Sequence, residues 1–133
     1  MITEDYCSFE VAKLLKEKGF NEQCRAAYTN YGKLFTTQIQ QYVTNVLCSK
    51  GILWDCAAPT LQMAMKWLRE VHNIHISVYV FNRELPITNV PIFYTCDITT
   101  EKLSSQQGHL RGAWKSYEET CEAAIKYCLE NLI

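Results

Sequence analysis

Glycine and proline are scarce in this chain, five and three among 133 residues. With 48% hydrophobic residues, that scarcity excludes a disordered or low-complexity segment, which lacks the apolar side chains needed to offset chain entropy. An excess of either charge is also missing: 13 Lys and Arg stand against 14 Asp and Glu, a net charge of −1. Without a strong positive field, counterion release is small, so strong nucleic-acid binding is not expected. No run approaches the roughly 18 apolar residues of a membrane-spanning helix. Met1 to Tyr6 is acidic and polar, unlike a secretion signal. The expectation is no membrane partner and a cytoplasmic location. A length of 133 suits one domain, residues 1–133, with one core.

Cysteine, by contrast, is abundant: Cys7, Cys24, Cys48, Cys56, Cys96, Cys121 and Cys128. Their number is odd and no Cys-x-x-Cys occurs, so neither a zinc ribbon nor a thioredoxin-type motif is indicated. Cys121 and Cys128 stand seven apart, on one face of a helix. Reduced thiols acting as small core hydrophobes are the expectation.

Hydrophobic spacing defines the elements. Val11, Leu14 and Leu15 repeat at helical intervals between Ser8, a capping residue, and Gly19, suited to the left-handed C′ position. Phe20 is then placed to fold back on Leu15. Cys24 to Thr29 and Lys33 to Thr37 flank Asn30-Tyr31-Gly32 and read as a β-hairpin. Gln38 to Cys48 fits a helix by the spacing of Ile39, Tyr42, Val43, Val46 and Leu47, although its Thr and Val favour strands. Ile52 to Ala58 reads as a connector.

Pro59 suits the first turn of a helix running to His72, with Leu61, Ala64, Met65, Leu68 and Val71 buried and Asn73 ending it. Ile74 to Phe81 alternates as a strand, Asn82 to Asn89 connects, and Val90 to Ile98 is its neighbour, with Pro91 at its start. Thr99 to Lys115 is polar and reads as a loop. Ser116-x-x-Glu119 is a capping box opening a helix to the C-terminus, with Cys121, Ala124, Ile125, Cys128, Leu129 and Leu132 buried. The fold class is α+β, order α-β-β-(α)-α-β-β-α, with helices packed on one face of a small antiparallel sheet.

Few constellations carry chemistry. Cys96, His75 and Asp97 are the nearest approach to a nucleophile, base and orienting acid, but strand alternation puts Cys96 and Asp97 on opposite faces. No nucleophile elbow or cysteine-protease signature is present, so no catalytic residues are assigned and the chain is not read as an enzyme. His72-x-x-His75 has metal-ligand spacing without a second pair, so no metal is assigned, and no cofactor motif occurs. Gly108-His109-Leu110-Arg111-Gly112 makes His109 and Arg111 a weak anion-site candidate, without the strand-loop-helix setting of a phosphate loop. Lys66 and Arg69, or Arg25, Lys33 and Phe35, are too few for much phosphate neutralisation and read as solvated surface.

The outer face of the sheet is the most informative feature. His75, Ser77, Tyr79 and Phe81 point away from the helices, with Phe93, Thr95 and, in one arrangement, Phe35. Exposed together, His75, Tyr79, Phe81 and Phe93 form a binding patch. Covered by residues 38–48 or by the loop carrying Trp114, they form part of a core. Both arrangements are consistent with the sequence.

Three segments, Ser8 to Phe20, Ala58 to His72 and Ser116 to Ile133, together resemble a family of small, functionally uncharacterised proteins encoded by phages, prophages and mobile elements of gut bacteria. The Ala58-Pro59-Thr60 and Lys66-Trp67-Leu68-Arg69-Glu70 runs are its most specific part. The resemblance implies a phage-type accessory protein with a constant helical frame and variable surfaces between, and brings no catalytic residue or cofactor. The expected function is non-catalytic binding of a host protein or a small signalling molecule, with homodimerisation through the sheet face as the simplest pairing. The alternative is a small nucleic-acid-associated regulator.

Overall fold

The computed structural model describes residues 1–36, 41–81, 92–101 and 110–133. The architecture is α+β with antiparallel sheets. Helix α1 spans Phe9–Glu17. Its Ser8 side chain accepts the Val11 N–H at 3.2 Å, and Gly19, at φ +94°, supports the pair of bonds Phe20 N–H to Leu15 O and Gly19 N–H to Lys16 O. That ending buries Phe20 against Trp67, ring centroids 5.4 Å apart.

Strands β1 (Ala26–Thr29) and β2 (Leu34–Thr36) form the expected hairpin, turning where Gly32 adopts φ +78° over the ring of Phe9. The expected helix over 38–48 is displaced. Residues 38–40 lie outside the described residues, and Val43 is extended and exchanges backbone hydrogen bonds with Cys24, both 2.8 Å. Helix α2 begins only at Asn45 and runs to Lys50, capped by Thr44. The β-branched Val43 and Thr44 prefer the extended backbone, and capping requires it of Thr44.

The expected connector contains strand β3 (Trp54–Ala57), which pairs with β1 and completes a sheet of order β2-β1-β3. Helix α3 is Leu61–His72, capped by Thr60, so Pro59 precedes the helix instead of standing in its first turn, and Asn73 ends it at φ 52°. Its buried stripe takes in Trp67 and leaves Val71 57% exposed, a correction to the expected face. Trp67 is drawn inward by Phe20 and by the His72 ring, 4.7 Å away.

Strands β4 (Ile74–Phe81) and β5 (Phe93–Thr100) form a separate two-stranded sheet. Residues 82–91, including the expected connector and Pro91, lie outside the described residues. Helix α4 (Tyr117–Asn131) starts where Ser116 accepts the Glu119 N–H at 3.0 Å.

The strands thus divide between two sheets instead of sharing one. Helix α1 packs on β3 and on α4, while α3 and α4 pack on β4, and α4 also on β5. Helices α1, α3 and α4 therefore stand between the sheets. The main core joins Val11, Leu15, Phe20, Leu68, Ile74, Ile98, Ile125 and Leu129. A smaller cluster, Ala12, Ala26, Tyr28, Cys56 and Ala58, lies between α1 and the first sheet. Small residues there let the helix backbone approach the strands closely.

Candidate functional site: the outer face of β4 and β5

The register pairs His75 with Thr99, Ser77 with Asp97, Tyr79 with Thr95 and Phe81 with Phe93. Successive side chains alternate across a sheet, so these eight share the face turned from α3 and α4. Ile74, Ile76, Val78, Cys96 and Ile98 take the inner face and join the core. Strand alternation, legible in the sequence, placed His75, Tyr79, Phe81 and Phe93 together correctly. Phe35 is not among them: it belongs to β2 and packs edge-on to Trp54 at 5.7 Å.

Tyr79 and Phe81 are each 44% exposed, and Phe93 is half-buried. The Tyr79 hydroxyl donates to Asp97 Oδ1 at 3.3 Å. Partial desolvation and the Asp97 carboxylate push its pKa up from 10.0. His75 stays exposed, its Nε2 3.0 Å from Asn73 Oδ1.

Among the described residues, the two expected covers, residues 41–48 and Trp114, pack elsewhere. Trp114 pairs with Tyr94 at the free edge of β5, N–H to O in both directions at 2.8 Å, and its ring packs against the main core on the inner side. Thr95 Oγ1 donates to Gly112 O at 2.8 Å, tying that segment to the edge. Helix α2 packs on β3, in the other sheet.

The remaining candidates are dispersed. Cys96 is buried on the inner face, whereas His75 and Asp97 are on the outer one, so the three do not converge. His72 and His75 are engaged separately, the first against Trp67 and the second with Asn73. Among the described residues, no group of three or more His, Cys, Asp or Glu could hold a metal ion. Arg111 is exposed, and His109 lies outside the described residues. Lys33 stands 5.1 Å over the Phe35 ring and Arg25 5.5 Å over the Tyr42 ring, on separate segments.

All seven cysteines are free and buried. Burial raises the pKa of Cys24, Cys56 and Cys128 to about 12 and that of Cys121 to about 11. Such thiols are poor nucleophiles near neutral pH, since the thiolate is the reactive form.

Sequence reading missed one surface. A groove of about 720 Å³ lies between the N-terminal segment, α1, α4 and the first sheet, lined by Glu4, Asp5, Glu10, Glu118, Glu119 and Glu122. These carboxylates come from two segments distant in sequence, residues 4–10 and 118–122, so the net charge of −1 conceals their gathering. The acidic first turns of α1 and α4 were the available signal.

Among the described residues, no helix is long and apolar enough to cross a membrane. No protein-family profile, curated protein or solved structure matches the chain.

Proposed function

We propose that this chain is a non-catalytic binding module, a cytoplasmic accessory protein of the phage type, whose docking surface is the outer face of β4 and β5. The observation that carries this reading is the exposure of Tyr79 and Phe81 on a face that neither Trp114 nor α2 covers. Exposed aromatic clusters mark partner surfaces, because ring burial is rich in driving force per side chain.

The chemistry favours a protein partner over a small signalling molecule. Small ligands are held in concave sites that enclose most of their surface. The described clefts are lined by other residues, leaving this two-stranded face as a surface for a broad contact. A host protein fits that contact. In its absence, a second copy pairs through the same face by two-fold symmetry.

The alternative, a nucleic-acid-associated regulator, draws on Lys33 over Phe35 and Arg25 over Tyr42. So few cations release few counterions, and such binding fades near physiological salt.

The test replaces Tyr79 and Phe81 with Ser together. Light scattering is expected to show concentration-dependent association of the wild type and its loss in the double variant, with circular dichroism unchanged. Unfolding of the variant would place both rings in a covered core and end this reading.

A further inference from the structure

The two edges of the first sheet are finished differently. At the β3 edge, the outward Ala57 N–H donates to Asn45 Oδ1 at 2.9 Å, and the Asp55 carbonyl accepts from Lys16 Nζ. Both groups are thus closed by side chains. At the β2 edge they are not. The Thr29 N–H donates to Lys33 O, and Ala27 pairs with Phe35, so Lys33 and Phe35 turn their backbone groups toward β1. The same alternation turns the N–H and C=O of Leu34 and Thr36 outward. Both residues are exposed, and among the described residues neither group has a partner. Such an edge is a template for another strand.

The open edge borders the acidic groove. Leu34 and Tyr28 line it from the sheet, facing six carboxylates and one ammonium, Lys126. Lys126 is already held by Glu10 at 2.9 Å and Glu130 at 3.8 Å. Glu10, Glu118 and Glu119 stand in first helical turns, where the helix dipole favours them. Glu4 and Asp5 stand in no helix, so the dipole does not account for them. On the opposite face of β2 are Lys33 and Phe35, with Trp54 beside Phe35.

We infer that the β2 edge accepts an extended basic segment of a partner protein as an added antiparallel strand. The segment alternates lysine or arginine with apolar residues. Its basic side chains enter the groove beside Leu34, and its apolar ones cover Phe35 on the other face, where Lys33 disfavours further cations. Main-chain bonds supply the attachment and the alternation supplies the specificity. A second copy does not meet these requirements. Its β2 would bring Leu34 and Thr36, both uncharged, to the groove side and set two acidic grooves beside each other.

The test is fluorescence anisotropy with a labelled peptide of alternating lysine and valine. Binding is expected to weaken with added salt and to be lost when glutamate replaces lysine. In the antiparallel register the peptide residue opposite Leu34 is a lysine whose N–H faces β2. Methylation of the lysine backbone nitrogens is therefore expected to weaken binding about tenfold or more, and methylation of the valine nitrogens to leave it unchanged. The combined E4Q, E118Q and E119Q variant, with unchanged circular dichroism, is expected to lose affinity by a similar factor and to show a shallower salt dependence. Absence of binding overturns the inference. So do equal affinities of the two methylated peptides, which indicate diffuse charge attraction, and unchanged binding by the neutralised variant. The Tyr79 and Phe81 double variant should bind the peptide normally, so this result is independent of the β4–β5 surface.

Discussion

The buried side chain of Asn45 holds the edge N–H of Ala57 at 2.9 Å and, through its own amide, donates to the Phe20 carbonyl at 2.6 Å. One residue at the start of α2 thereby joins that helix to β3 and to the end of α1. Replacing Asn45 with Leu removes both bonds and leaves two buried backbone groups unsatisfied. At roughly 1–3 kcal/mol for each orphaned group, a loss of about 2–6 kcal/mol is expected in urea unfolding. A loss below about 0.5 kcal/mol would show that α2 does not anchor β3.

The thiols predict an alkaline limit to stability. Cys24, Cys56, Cys121 and Cys128 have folded pKa values raised from 9.0 to about 11–12, with desolvation as the first cause in each. Above pH 9 the unfolded chain releases protons that the folded chain retains. Stability is therefore full below about pH 9 and falls as pH rises through 9 toward 11–12, by about 1.4 kcal/mol per pH unit for each such group. Urea midpoints measured from pH 7 to 10 check the sign and the onset.

The same burial predicts slow thiol chemistry. With a disulfide reagent at neutral pH, the native protein should react slowly. After denaturation without reductant it should show close to seven thiols. A much lower count would mean that pairs had oxidised.

At the start of α4, the two halves of the capping pattern are expected to differ. Ser116 Oγ accepts the Glu119 N–H at 3.0 Å, so Ser116→Ala should cost about 1 kcal/mol. Glu119 is exposed and contributes through its charge near the helix start, so Glu119→Gln should cost only about 0.3–1 kcal/mol, less at high salt. Thermal unfolding of both variants distinguishes them.

Asn73 terminates α3 in the left-handed region at φ 52°. Asn73→Gly is expected to be tolerated, while Asn73→Val should destabilise by about 1–2 kcal/mol, because a β-branched side chain clashes there. The register of β4 begins at the next residue, so hydrogen exchange at Ile74 to Val78 should rise in the Val variant.

Local chemistry was legible before any tertiary contact was known. Ser8 and Ser116 begin helices through their side chains, Gly19 and Asn73 end them through the left-handed backbone each accepts, and the alternation from Ile74 to Phe81 separated core residues from His75, Tyr79 and Phe81. These outcomes depend on groups a few residues apart. Positions 41–44 failed that approach: the periodicity of Tyr42, Val43, Val46 and Leu47 is helical, but Val43 gains more by pairing with Cys24. The gain comes from a residue 19 positions away, which no local window contains.

The sequence by itself determined the α+β class, the helix caps and the two faces of the β4–β5 hairpin, because 3.6- and 2-residue periods and cap geometry are local properties. Tertiary structure decided that the strands divide into two sheets, that Trp54–Ala57 is a strand, and that carboxylates from residues 4–10 and 118–122 gather around one groove. Each of these depends on which distant segments meet. Pairing partners are chosen by the packing of the whole core, where burial of Phe20, Trp67 and Ile125 outweighs the preference of any short stretch.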